Sequence, residues 1–219
     1  MPDHFQRADQ VLDLGGQASA SGSLQKVYHY PGREDLLIKV VRPNFVAERW
    51  TGLRGAIKRL RRLGALTGAS RVIMEHLALR NAGVKPGRHV QEFVGLVETT
   101  QGVGVVVRAV RGRDGRYAET LRTIVKEGRF GPDIEAMLDE FEAWLLSTPI
   151  IVGDLHMGNV VLGFDGEHGE RLVLIDGMGE KNFVPLNTWF PVLNRANTRD
   201  RIRRMRRIVN AKRAAPSPR

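Results

Sequence analysis

Two short stretches of the sequence carry the residue types that phosphoryl transfer requires. Val152-Gly153-Asp154-Leu155-His156-Met157-Gly158-Asn159 places an aspartate and an asparagine in one loop, and Leu174-Ile175-Asp176-Gly177-Met178-Gly179 places a second aspartate directly after an apolar run. Transfer from ATP needs a carboxylate beside the attacking hydroxyl and oxygen ligands for a Mg²⁺ that bridges the phosphates. Mg²⁺ keeps several of its waters, so a carboxylate and an amide are enough protein ligands. On this reading Asp154 orients or deprotonates the acceptor hydroxyl, while Asn159 and Asp176 hold Mg²⁺. Asp and Asn are also ordinary turn formers, and Asp-Gly is a routine turn pair. Either motif alone favours the turn; the two together, each beside a short apolar strand, favour the chemistry.

Such chemistry makes demands upstream. Lys39 lies inside the apolar run Leu37-Ile38-Lys39-Val40-Val41, where a buried ammonium is costly without an anionic partner. It suits a lysine that holds ATP phosphates, and equally an edge-strand lysine reaching solvent. Glu75 sits on the helical stretch that follows and is the candidate to pair with Lys39, with Glu48 as competitor; an exposed helix glutamate explains either. Ahead of the lysine, the segment from Leu14 to Ser23, with Gly15, Gly16 and Gly22, is small enough for backbone N–H groups to approach phosphate oxygens. It lacks regular G-x-G-x-x-G spacing, and a flexible linker competes with that role.

The elements that must position these residues are legible as patterns. Leu24 to Tyr30, a turn at Pro31 to Asp35, and Leu36 to Val41 read as a hairpin; Phe93 to Thr99 and Val103 to Val110 read as another. Between them Ala47 to Leu66 and Ser70 to Ala82 are helical in composition, with Gly83 placed to end the second. In Asp133 to Leu146 the apolar residues Ile134, Met137, Leu138, Phe141 and Leu145 mark one face of a helix opened by Pro132 and Asp133. Ile150 to Val152, Val160 to Leu162 and Leu172 to Ile175 read as short strands. The expectation is an α+β chain, a reduced two-lobe arrangement: an N-terminal lobe over residues 1–112 with an antiparallel sheet plus helix, a small, mostly helical C-terminal lobe over 113–213, and a disordered tail over 214–219.

The 219 residues are 42% hydrophobic and 26% charged, enough for a sizeable core. The apolar runs fall far short of a membrane span. The first residues lack the basic start and apolar run of a secretory signal, and the absence of cysteine excludes disulfides and thiolate metal sites and fits a reducing cytoplasm. The formal charge of +10 is concentrated: from Arg195 onward ten basic residues face one acid, Asp200. The body is nearly neutral, and the end of the chain is a separate surface.

The order of loop, lysine, helix glutamate, Asp/Asn loop and Asp-Gly is that of the protein-kinase-like fold. The stretch from Val152 to Asn159 resembles the catalytic loop of aminoglycoside- and choline-type kinases, in which a histidine commonly stands two residues after the aspartate; the resemblance adds His156 to the catalytic set. Val152 replaces that loop's initial histidine, which bears on packing. Three further elements resemble the YrbL-like family, bacterial kinase-fold proteins linked to the PhoP regulatory network. They are the stretch from Gly95 to Gly104, Arg113-Asp114-Gly115 leading to Thr120-Leu121, and Val184-Pro185-Leu186-Asn187-Thr188-Trp189. That resemblance implies an ATP-binding kinase fold with an undefined substrate. Forty-three residues follow Asp176, with no Ala-Pro-Glu element. The expectation is therefore a small-molecule acceptor or a restricted partner, not general protein Ser/Thr. A regulatory pseudokinase that binds nucleotide without transferring phosphate is the competing reading.

Asn197 to Arg213 reads as a helix with Ile202, Met205, Ile208 and Val209 on one side. Docking through that stripe is favoured, with little effect on stability expected from charge reversal at Arg203 or Arg206. The competing reading is a polyanion contact, to nucleic acid or anionic membrane, through Arg199, Arg203, Arg204, Arg206 and Arg207. Lys58-Arg59-Leu60-Arg61-Arg62 is a second basic cluster, most simply a solvated helix face.

Overall fold

A computed structural model describes residues 11–15, 18, 20–21, 25–41, 64–85, 87–180 and 185–214. The candidate loop residues Gly16 and Gly22, the competitor Glu48 and the cluster from Lys58 to Arg62 lie outside them. The α+β class is as expected. Backbone packing groups the chain into two compact units, one of residues 1–70 and 93–109, the other of residues 71–92 and 110–219. Leu79 and Val90, from residues 71–92, are fully buried in the core of the second unit.

The first unit is an antiparallel sheet of five strands: β1 (Ala20–Ser21), β2 (Gln25–Tyr30), β3 (Arg33–Val41), β4 (Phe93–Thr99) and β5 (Gly102–Arg108), in the order β1-β2-β3-β5-β4. The first turn is tighter than expected. Tyr30 already pairs with Arg33 across Pro31-Gly32, so residues 33–35 extend β3 instead of forming a loop. Asp35 stays in the strand as an ion-pair partner of Arg33 and Arg108, and the hydrogen bond from Arg33 holds its carboxyl below the usual carboxylate range. Strand alternation decides where Lys39 goes. Leu36, Ile38 and Val40 bury one face of β3 with Leu12, Leu14 and Tyr28, and Lys39 falls on the other face. There it is half-buried and in register with Val27 and Val105. As β3 is flanked by β2 and β5, Lys39 is not on an edge strand.

A 3₁₀ turn at Gly64–Leu66 leads into α1 (Thr67–Asn81), which ends at Gly83 with φ 72°, a left-handed conformation that suits glycine. The second unit adds α2 (Leu121–Lys126), α3 (Pro132–Ser147), the hairpin β6 (Val160–Asp165) and β7 (Gly169–Leu174), α4 (Leu186–Trp189) and α5 (Pro191–Ala214). Helix α2 is too short to show a period in the sequence; it is capped by the Thr120 hydroxyl on the Thr123 N–H. Helix α3 follows its sequence pattern, burying Leu138, Phe141 and Leu145. Ile150 to Val152 is not a strand. Its backbone is instead satisfied piecemeal: the Ile150 carbonyl accepts from Asn194, Ile151 exchanges with Glu75 and Gly179, and Val152 makes one bridge to Met178. Among the described residues no helix is long and apolar enough to cross a membrane.

The basic C-terminal segment docks. Ile202, Met205 and Val209 are buried in the same core as α3, whereas Ile208 faces solvent. Arg206 overturns the expectation that its charge is dispensable: Nε donates to both Glu142 oxygens at 2.7 and 2.8 Å, and Nη2 reaches Asp139. Asn194 and Thr198, both buried, add polar anchors, Asn194 Nδ2 donating to the Ile150 carbonyl at 2.9 Å.

Candidate active site

The two aspartate motifs are brought together within the second unit. Backbone N–H groups of Gly153 and Asp154 both donate to the Gly177 carbonyl, at 2.8 and 2.9 Å. Asn159 stitches the motifs from its other end. Its backbone carbonyl accepts from Ile175 at 2.9 Å, and its side-chain Nδ2 donates to the Asp154 carbonyl at 3.0 Å. With the amide nitrogen committed to the loop, Oδ1 is the atom left for a ligand. Asp176 turns Oδ1 onto the N–H of Gly177 at 2.7 Å, which leaves Oδ2, on an exposed residue, as its outward oxygen.

This closeness depends on the absence of a side chain at Gly177. Its φ is 85°, and a Cβ there would stand 2.3 Å from the Asp154 carbonyl oxygen and 2.9 Å from Asn159 Nδ2. The Asp-Gly pair is therefore more than a turn: its glycine lets the two loops meet.

His156 lies on the same loop. Its Nδ1 accepts the Gly158 N–H at 3.0 Å, which places the ring proton on Nε2. Arg122, which the sequence reading passed over, supplies a cation here. Its backbone N–H donates to the Met157 carbonyl, and a Cβ on Gly158 would meet Arg122 Nη2 at 2.9 Å and His156 Cε1 at 3.2 Å. The available signal was its position two residues after Thr120, at the start of a helix too short to show a period. Val152, where the resembled loop carries histidine, is fully buried in the apolar core, so an aliphatic residue suits the position.

Glu75 has a structural partner. It is buried, and Oε2 accepts the Ile151 N–H at 2.7 Å. Burial, opposed by that hydrogen bond and aided by nearby Glu180, pushes its carboxyl up to about 7. Glu180 in turn accepts from the backbone and side chain of buried Asn187, at 2.8 and 2.7 Å. The expected pairing of Glu75 with Lys39 would join residues of separately described units. In the first unit, Gly15 has φ 61° and donates its N–H to Asp13 Oδ1 at 3.1 Å.

The donor set at the junction of the two loops, the Asn159 amide oxygen and the Asp176 carboxylate, is of the hard-oxygen kind that suits Mg²⁺. Among the described residues no group of three or more His, Cys, Asp or Glu side chains is placed to hold a metal ion.

A family model described as PhoP regulatory network protein YrbL matches residues 13–210. Two curated proteins, both described as uncharacterized protein YrbL, from Escherichia coli (strain K12) and Shigella flexneri, are each 27% identical over 117 residues, 52% of this chain and 54% of theirs. The chain thus matches about half the length of these relatives. A crystal structure of Rad53 1–466 in complex with AMP-PNP aligns with 87% of this chain and 46% of its own, at 14% identity and a TM-score of 0.49.

Proposed function

The chain belongs to the PhoP regulatory network protein YrbL family, and from that premise we propose that it is an ATP- and Mg²⁺-dependent phosphotransferase of the kinase-like kind, acting on a small molecule or a restricted partner. The observation that supports this best is the double anchoring of Asn159, which commits its amide nitrogen to the Asp154 carbonyl and leaves its amide oxygen for a ligand on the pair of loops that carries Asp154 and Asp176. A Mg²⁺ held by Asn159 and Asp176 would neutralise charge on the phosphates. Asp154 orients the acceptor hydroxyl and takes its proton, and Lys39 binds the α- and β-phosphates. Arg122 and the Nε2–H of His156 add donors at the same loop, suited to the transferred phosphoryl oxygens or to an anionic acceptor. Catalysis of this type is mostly positioning and charge stabilisation.

Calorimetric titration with ATP, with and without Mg²⁺, tests the reading. The wild-type chain should bind ATP in a Mg²⁺-dependent manner, and Asp176→Ala should lose that dependence while keeping its fold. An absence of binding in the wild type would remove the enzyme and the nucleotide-binding pseudokinase together.

A further inference from the structure

Docking of α5 leaves its outward side unexplained. Arg204 pairs with Asp200, Arg206 with Glu142 and Asp139, and Arg213 with Glu135, so these three cations are in use. The side chains of Arg195, Arg199, Arg203 and Arg207 are exposed and make no hydrogen bond or ion pair among the described residues. With Val192 they follow one another at spacings of three and four, forming a stripe about 20 Å long that winds from beside the buried face at Arg195 to the side of α5 away from Ile202, Met205 and Val209 at Arg203 and Arg207.

A second, independent feature stands at the start of that stripe. Trp189 is 61% exposed, Phe190 51% and Val192 78%, with Leu186 and Leu193 also exposed. Five large apolar side chains within eight residues is an unusual display for a surface with no partner. Phosphates of a nucleic acid would use the arginines and leave the aliphatic residues in water. A convex helix also offers no groove to track a strand. A bilayer surface uses both features, because head groups supply a plane of negative charge and the interfacial layer accepts Trp, Phe, Leu and Val.

We propose that the α4–α5 corner and the arginine stripe form a docking site for anionic lipid membranes, with Leu186, Trp189, Phe190 and Val192 entering the interface and Arg195, Arg199, Arg203 and Arg207 meeting the head groups. The apolar stripe of α5 is already buried in the core, so insertion falls to the corner preceding the helix. This site is independent of the phosphotransferase reading.

The test is sedimentation of the full chain with vesicles of phosphatidylcholine alone and of equimolar phosphatidylcholine and phosphatidylglycerol, with single-stranded and duplex RNA as parallel probes. Binding is expected to the anionic vesicles only. The triple variant Arg199→Glu, Arg203→Glu, Arg207→Glu should bind on the order of a hundredfold more weakly. Trp189→Ser with Val192→Ser should also lose binding, with thermal midpoints near wild type in both variants. Should a variant fail to fold, the blue shift of tryptophan emission on anionic vesicles, present in wild type and absent in Trp189→Phe, decides the matter. No binding to anionic vesicles, RNA binding in their place, or full binding by either variant would overturn the site.

Discussion

Glu75 accepts the backbone N–H of Ile151 at 2.7 Å across 76 residues of sequence, and so pins the segment that runs into Asp154. The contact is buried, which makes the charged form of this carboxyl expensive and raises its affinity for a proton.

Stability should therefore depend on pH in a defined direction. With the folded carboxyl raised from 4.5 to about 7, the native state binds the proton more tightly than the unfolded chain. Stability then falls as pH rises from about 4.5 to about 7 and levels off above. Glu75→Gln keeps an acceptor for Ile151 without the charge. Compared with wild type, it should gain up to about 3 kcal/mol at pH 8 and little near pH 4.5, read by denaturant unfolding. A difference that does not vary with pH would contradict the assignment.

Gly177 is expected to tolerate no side chain. Gly177→Ala places Cβ 2.3 Å from the Asp154 carbonyl oxygen at a positive φ, and should cost at least about 2 kcal/mol. Gly166→Ala, at the β6–β7 turn with open space around it, is the matched control and should unfold as wild type does. Equal midpoints for the two variants would show that the loops do not meet as described.

The fold of α5 separates two arginines that look alike in sequence. Arg206→Ala strands Glu142, which is only 8% exposed, and should destabilise by about 1–3 kcal/mol. Arg203→Ala should change stability by less than about 0.5 kcal/mol. Met205→Ala should cost about 2–4 kcal/mol through the cavity left in the core. Thermal or denaturant melts of the three variants check the ranking.

Strands and the long amphipathic helices were legible because their apolar residues repeat at the period of the element, as with Leu36, Ile38 and Val40 in β3 or Leu138, Phe141 and Leu145 in α3. The same reading picked out Asp154, Asn159 and Asp176 from residue type and spacing, and the structure brings the loops that carry them together. Three features escaped it, each set by tertiary partners. Ile150 to Val152 resembles a strand, yet its hydrogen bonds go to Glu75, Gly179 and Asn194. Arg122 stands on a helix too short to show a period. Arg206 differs from Arg203 only in having Glu142 and Asp139 within reach. Positions of this kind depend on residues tens of places away, which local periodicity does not record.

The most direct measurement of the central claim is single-turnover transfer of the terminal phosphoryl group from radiolabelled ATP to water or to the protein itself. Wild type and Asp154→Ala are compared with ATP binding measured in parallel. The account expects turnover in wild type and its loss in Asp154→Ala, with ATP affinity changed by less than about threefold, since Asp154 serves the acceptor and not the phosphates. Turnover that survives in Asp154→Ala would contradict it.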